Sequence, residues 1–346
     1  MVSGATVKVL LLADTHLGFD LPFAPRVERR RRGPDFFANM ERALQPAYRG
    51  EVDLVVHGGD LLYRSRVPPE LVQMAMAPLF RAAEAGVPVC LVPGNHERSR
   101  IPYPLLARHP KLLIFDGPRT FLVRRRGCAL ALSGWPYRSR MAGAFGRLLE
   151  QTGWRRAPAD LRLLCLHQVV QGARVGVQDY CFRGGPEVIR GVDLPRGFAA
   201  LLCGHIHRAQ VLTVDLRGRP LSVPVLYPGA IERTSFAERD EPKGYLTLEL
   251  APEGEGSALA RWTFHPLPTR PMVLLQGAPP RPLEWLRQRL AELPPDAIVR
   301  LRLPPEQARG LRAAQIRALA PSSMNVSLDP WLSGRAIRGR AGPHPR

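Results

Sequence analysis

Lys8-Val9-Leu10-Leu11-Leu12-Ala13-Asp14-Thr15-His16 is the stretch on which the architecture turns. Its apolar part is a short run far below the roughly 18 residues of a membrane span, and it stops abruptly at a carboxylate and an imidazole. Two further runs stop in the same way. Residues 52–57 lead into Gly59-Asp60, and residues 88–92 lead into Gly94-Asn95-His96-Glu97. Between them lie stretches of helical character at 36–48 and 69–85, giving a strand, helix, strand, helix, strand order. Parallel strands buried on both faces read as continuous apolar runs, and ligands gather beyond their C-terminal ends. All three polar motifs fall at such ends.

The rhythm resumes further on. Residues 128–133, 161–167 and 199–203 are again short apolar runs, and the last two end at His167 and at Gly204-His205-Ile206-His207. From 210 to 262 turn residues separate alternating runs such as 245–250, which read as antiparallel. The expected fold is α/β: two mixed β-sheets packed face to face as a sandwich, flanked by helices. Around residues 265–271 the chain turns proline-rich and a new pattern begins, with strands at 272–276, 297–303 and 324–328 and helices at 283–293 and 306–319. The expected domains are therefore 1–266, a small α+β unit at 271–330, and a basic tail at 331–346 too poor in apolar residues to fold.

Composition narrows the function. The chain has 346 residues, 45% of them hydrophobic, and no membrane-length apolar run, so a globular protein of the cytoplasm is expected. No basic leader precedes the first run and no small-residue cleavage site follows it, which argues against a signal peptide. Cys90, Cys128, Cys165, Cys181 and Cys203 show no CxxC pairing and read mostly as buried reduced thiols. Lys plus Arg number 49 against 30 Asp plus Glu, a formal charge of +19 that attracts polyanions, nucleic acid first among them. Lys8, Lys111 and Lys243 are the chain's lysines; a bias toward arginine explains that, but not the deficit of acids.

The five polar motifs together carry carboxylate, carboxamide and imidazole donors enough for two divalent cations, and such donors suit manganese, iron or zinc. Two ions about 4 Å apart clamp the attacking and leaving oxygens of an in-line displacement at phosphorus.

Order, spacing and placement of the motifs resemble the calcineurin-like metallophosphoesterase superfamily, with its DxH, GDxx, GNH(D/E), H and GHxH pattern. Asp14-Thr15-His16-Leu17-Gly18, His167-Gln168, and the block from Tyr227-Pro228-Gly229 through Glu238 to Pro242-Lys243-Gly244-Tyr245 look like its SbcD-type branch, nuclease subunits of double-strand-break repair complexes. The similarity runs over roughly residues 6–265.

Carried over, the resemblance makes Asp14, His16 and His207 ligands of one metal and Asn95, His167 and His205 ligands of the other, with Asp60 bridging. Manganese is the favoured metal. His96 takes the place of the non-ligand histidine that stabilises the five-coordinate state or protonates the leaving oxygen. Glu97, where relatives mostly carry Asp, either orients His96 or faces solvent. Tyr63 stands where some relatives have a second histidine near the scissile phosphate, which puts exonuclease proficiency in question. His57, His109, His265 and His344 match no ligand slot and read as core or surface.

The resemblance further implies DNA as substrate, a small domain that caps the site, and a homodimer. Larger relatives continue into a helical segment that docks on an SMC-like ATPase; the short basic tail leaves that partner an open expectation. In the run Arg26, Arg29, Arg30, Arg31 and Arg32, the residues Arg29, Arg30 and Arg31 are candidate phosphate contacts, as are Arg300 and Arg302, which alternate with Val299, Leu301 and Leu303. The leading reading is a metal-dependent DNA exonuclease or endonuclease acting in repair. A phosphoesterase for nucleotides or other small esters, and a non-catalytic scaffold at DNA ends, are the alternatives.

Overall fold

The computed structural model describes residues 6–21, 29–97, 109–253 and 256–330. In chain order these form β1 (Val7–Leu12), α1 (Gly33–Tyr48), β2 (Leu54–His57), α2 (Pro69–Glu84), β3 (Val89–Leu91), β4 (Leu112–Ile114), β5 (Arg119–Arg125), β6 (Cys128–Gly134), α3 (Phe145–Gln151) and β7 (Leu161–His167). The short strands β8 (Val169–Val170), β9 (Arg174–Val175), β10 (Tyr180–Cys181) and β11 (Val188–Ile189) follow. Then come β12 (Ala200–Gly204), β13 (Gln210–Val214), β14 (Pro220–Tyr227), β15 (Gly244–Glu253) and β16 (Gly256–Pro266).

Two six-stranded mixed sheets result, ordered β16-β15-β1-β2-β3-β4 and β13-β14-β12-β7-β6-β5. In the first, β1 to β4 run parallel and β15 joins β1 antiparallel. In the second, β6, β7, β12 and β14 are parallel and the edges are antiparallel. Side chains alternate across a strand with period two, and β1 uses both faces. Leu10 and Leu12 pack against α1 and α2 through Phe36, Met40, Leu44, Leu71 and Leu79. Val7, Val9 and Leu11 face the second sheet, meeting a core that holds Leu130, Leu132, Leu163, Cys165 and Leu202. Phe36, Met40, Ala43, Leu44 and Ala47 recur at helical spacing on α1, which is why that helix can bury one stripe. Beyond the second sheet, Leu164, Leu166, Leu201 and Cys203 pack with Trp135, Trp154 and the α3 residues Phe145, Leu148 and Leu149. This is the expected α/β sandwich.

Some elements escaped the sequence reading. β5 is an exposed edge strand rich in arginine, and β4 has three residues, so neither stands out as an apolar run. The five cysteines are all free, and four of them are buried. Among the described residues no helix is long and apolar enough to cross a membrane.

The described residues divide into two compact units, 6–21 with 32–269 and 29–31 with 270–330. The second contains β17 (Met272–Gln276), α4 (Pro282–Ala291), β18 (Ile298–Leu303), α5 (Pro305–Arg309), α6 (Ala313–Leu319) and β19 (Asn325–Pro330). Its three strands pair in parallel around β18, and Leu286, Leu290, Val299, Leu301 and Ile316 form its core. The single helix expected at 306–319 is two. Gly310 ends the first, Arg312 is extended (φ −88°, ψ 139°), and the Gln315 side chain accepts the Arg312 N–H to start the second. Residues 29–31 attach to this unit through Arg30 N–H donating to Ser322 O and Asn325 Nδ2 donating to Arg30 O. Arg26, His344 and the tail at 331–346 lie outside the described residues.

Candidate metal centre

The loops that leave β1, β2 and β12 bend sharply at the functional positions. Asp14 (φ 50°), His16 (φ 42°), Asp60 (φ 52°) and His205 (φ 86°) all occupy left-handed backbone, at a cost of about 1–3 kcal/mol for each non-glycine residue. Hydrogen bonds between loops hold them there. Asp14 N–H donates to Gly59 O at 2.9 Å, and His16 N–H to Asp60 O at 3.0 Å. His205 N–H points at both oxygens of Asp14, each 3.1 Å away.

Two groups of ligand atoms result. In one, His16 Nε2 and His207 Nε2 stand 2.9 Å apart, with the Asp14 carboxylate within 4.8 Å. In the other, Asn95 Oδ1 lies 3.1 Å from His167 Nε2 and 2.9 Å from His205 Nδ1, and those two nitrogens are 3.2 Å apart. Asp60 Oδ2 sits between the groups, 3.9 Å from His16 Nε2 and 3.5 Å from His167 Nε2. Asp14, His16, Asp60, Asn95, His167, His205 and His207, scattered along 194 positions of sequence from 14 to 207, are thereby gathered into one cluster, with Asp14, His16, Asp60 and His167 buried and the other three half-buried.

This donor set fits cations. His167 Nδ1 donates to the Gly58 carbonyl at 2.7 Å, so in the neutral ring Nε2 carries a lone pair aimed at the Asn95 carboxamide oxygen. Lone pairs about 3 Å apart repel unless a positive species lies among them, and ligand atoms about 2.1 Å from one ion at right angles have that same spacing. A proton is the competitor. Burial disfavours charge on His167, but the Asp60 carboxylate outweighs it, and the ring is pushed up to about 9. Burial would likewise raise Asp60, yet the facing imidazoles of His167, His16 and His96 hold it well below the usual carboxylate range. His16, buried and beside His207, is held well below its ordinary value.

Residues 7–209 match the family model described as calcineurin-like phosphoesterase. The chain belongs to the calcineurin-like phosphoesterase family. Members of this family bind two divalent metals, and the chain carries ligand clusters that could hold them. It is also similar to proteins named DNA double-strand break repair protein Mre11, which places the resemblance in the SbcD-type branch. The one from Haloferax volcanii is 30% identical across 84% of this chain and 60% of its own length. For Saccharolobus solfataricus the values are 26%, 60% and 51%, and for Methanosarcina mazei 29%, 78% and 39%. The chain thus spans about half the length of these relatives.

Behind the candidate ligands of this calcineurin-like phosphoesterase lies a layer the sequence did not reveal. His207 Nδ1 is 3.3 Å from Glu238 Oε1, and burial of His207 is outweighed by that carboxylate, so its pKa rises. Lys243, fully buried, binds Glu238 at 2.7 Å, Glu241 at 3.1 Å and the His207 carbonyl at 2.9 Å. Glu238 and Lys243 belong to the block that carries the branch resemblance, which was the available signal. Glu97 does not face solvent: it is 1% exposed and accepts the N–H groups of Leu62 (2.6 Å) and Gly94 (2.9 Å). Burial and the Asp60 charge push its carboxyl up to about 8. His57 is core, between Thr15 Oγ1 and Gly59 N–H.

His96 Nδ1 bonds the Tyr63 carbonyl, and Nε2 faces Asp60 Oδ2 at 3.7 Å. His96 also groups with His16 and Asp60 closely enough to count as a potential ligand. Arg29, Arg30, Arg31, Arg300 and Arg302 all belong to the second unit, where Arg302 pairs with Asp329 at 3.3 Å and Arg30 with Asp296 at 3.7 Å.

Proposed function

We propose that the chain is a two-metal phosphodiesterase of the SbcD type that hydrolyses DNA at ends or in single strands, in the cytoplasm and in the service of repair, with manganese as its metal. The observation that carries this reading is the pair of ligand groups sharing Asp60. Asp14, His16 and His207 would hold one ion, Asn95, His167 and His205 the other. Bound there, divalent ions would supply Lewis acidity and bring a coordinated water's pKa toward neutrality. Asp60 offsets the repulsion of two cations with one shared charge. His96, fixed by the Tyr63 carbonyl, offers Nε2 to the leaving oxygen as a general acid. Arg29, Arg30, Arg31, Arg300 and Arg302 are proposed phosphate contacts. The resemblance carries two more proposed partners, an SMC-like ATPase and a second copy of the chain.

The test is cleavage of linear duplex and single-stranded oligonucleotides by purified protein with manganese, beside Asp60→Ala. Degradation by the wild type and none by the variant is expected. Turnover of an aryl phosphodiester without cleavage of either DNA would move the substrate to small esters, and activity surviving Asp60→Ala would remove the two-metal scheme.

A further inference from the structure

Tyr-Arg-Ser-Arg occurs twice in the chain, as Tyr63-Arg64-Ser65-Arg66 and as Tyr137-Arg138-Ser139-Arg140. In so arginine-rich a sequence the repetition alone means little; the two placements carry the inference. The Tyr63 ring lies 6.2 Å from His16, edge-on, and 6.1 Å from His96. The Tyr137 ring stacks on His205 at 5.5 Å with an interplanar angle of 30° and meets His167 edge-on at 6.1 Å. One copy therefore abuts the ligand group containing His16, the other the group containing His167 and His205.

Both segments are anchored by backbone, and their arginines are exposed. Tyr63 N–H donates to Leu17 O at 3.0 Å, and Tyr137 N–H to Pro93 O at 2.9 Å. Gln168, next to His167, accepts the Arg138 N–H at 3.2 Å and donates to the Arg138 carbonyl at 2.7 Å. Arg64, Arg66, Arg138 and Arg140 are exposed and have no acidic partner among the described residues; the Arg64 guanidinium lies over the Tyr63 ring at 5.5 Å. Some exposed arginines elsewhere are neutralised, as Arg126 is by Asp53, Arg190 by Asp193 and Arg219 by Asp215, whereas others, Arg124 and Arg147 among them, have no acidic partner among the described residues. Four exposed guanidinium groups without a carboxylate, on segments whose tyrosines abut a cation-binding cluster, are placed to attract a polyanion.

Resting on the nuclease reading above, we propose that these segments are two binding arms for one polynucleotide strand, one on each side of the scissile phosphate. The tyrosine rings stack on the flanking bases, and the arginine pairs contact the flanking phosphates. Aromatic faces alternating with cations are the chemistry of single-strand recognition, since every base has a π-face and every linkage a charge. A mononucleotide would occupy one arm only, so the duplication favours a polymer.

Binding of a fluorescent, phosphorothioate-linked single strand, followed by anisotropy against salt in manganese buffer, tests this. Arg64→Ala/Arg66→Ala and Arg138→Ala/Arg140→Ala are each expected to lower affinity about tenfold and to flatten the log–log salt slope by roughly 1.4, two single-strand phosphate contacts. Arg124→Ala/Arg147→Ala removes two exposed, unpaired arginines elsewhere and should leave the slope unchanged. Tyr63→Leu and Tyr137→Leu should each cost about tenfold on the normal strand and nothing on a fully abasic one. Slopes kept by both arm variants, or losses equal to the Arg124/Arg147 control or equal on abasic strand, overturn the arms while leaving the nuclease reading intact. A wild type that neither binds nor cleaves the strand overturns both.

Discussion

Glu238 Oε1 stands 3.3 Å from His207 Nδ1, on the edge of the imidazole opposite the nitrogen that faces His16. A carboxylate in that position fixes the tautomer, turns the lone pair of Nε2 toward the ligand cluster and makes it more basic. Thr234 Oγ1 at 2.7 Å and Lys243 Nζ at 2.7 Å hold the carboxylate in turn. Glu238→Gln is expected to weaken metal binding about 10- to 100-fold, read by manganese titration calorimetry. An unchanged affinity would mean that the pair is only structural.

His96 separates two roles that its geometry leaves adjacent, since its Nε2 could either bind a cation with His16 and Asp60 or protonate a leaving oxygen. His96→Ala should retain both metals and lose about 10²- to 10⁴-fold in turnover of an oligonucleotide. Calorimetry shows which. A lost metal equivalent would make His96 a ligand instead.

How much of this was legible follows from where each partner lies in sequence. That Asp14, His16, Asp60, Asn95, His167, His205 and His207 come together was readable because each lies within a few residues of the end of an apolar run, and the ends of parallel strands place such residues together. Glu97 was not, because its partner Leu62 is 35 positions away and nothing local marks a buried acid. Lys243 defeats the expectation that lysines stay at the surface; only its two glutamates make burial tolerable. The split of the helix expected at 306–319 was missed because the pattern of apolar residues continues across Gly310 while the backbone does not. The arginines at 29–31 follow the first metal motif in sequence yet belong with the second unit, a pairing with Ser322 and Asn325 that no local signal announces.

Gly94 gives a steric prediction. A Cβ there would collide with Asp60 Oδ1 and with the Asp60 backbone nitrogen. Gly94→Ala must therefore displace the Asp60 carboxylate or the loop that carries Asn95 and His96. Metal-dependent hydrolysis should fall to background, while the far-ultraviolet circular dichroism, set by the helices and sheets as a whole, stays near that of the wild type. Retained hydrolysis would show that Asp60 need not hold this position.

His57 makes stability depend on pH in a direction that can be fixed in advance. Its ring is fully buried; Thr15 Oγ1, itself donating to Leu61 O, accepts from Nε2, and Nδ1 accepts from Gly59 N–H. Burial, with the nearby His167, depresses its pKa from 6.5 to about 3, and a second ring proton would face the Gly59 N–H donor. Between these values the unfolded chain holds a proton that the folded chain does not, so stability rises with pH and is lost as pH falls from 6.5 toward 3. The slope approaches about 1.4 kcal/mol per pH unit, or about 2 kcal/mol between pH 7 and pH 5. Denaturant unfolding of wild type and His57→Gln with metals chelated isolates this contribution: the wild type should lose about 2 kcal/mol more than the variant over that interval. Equal losses would place the acid sensitivity in the carboxylates instead.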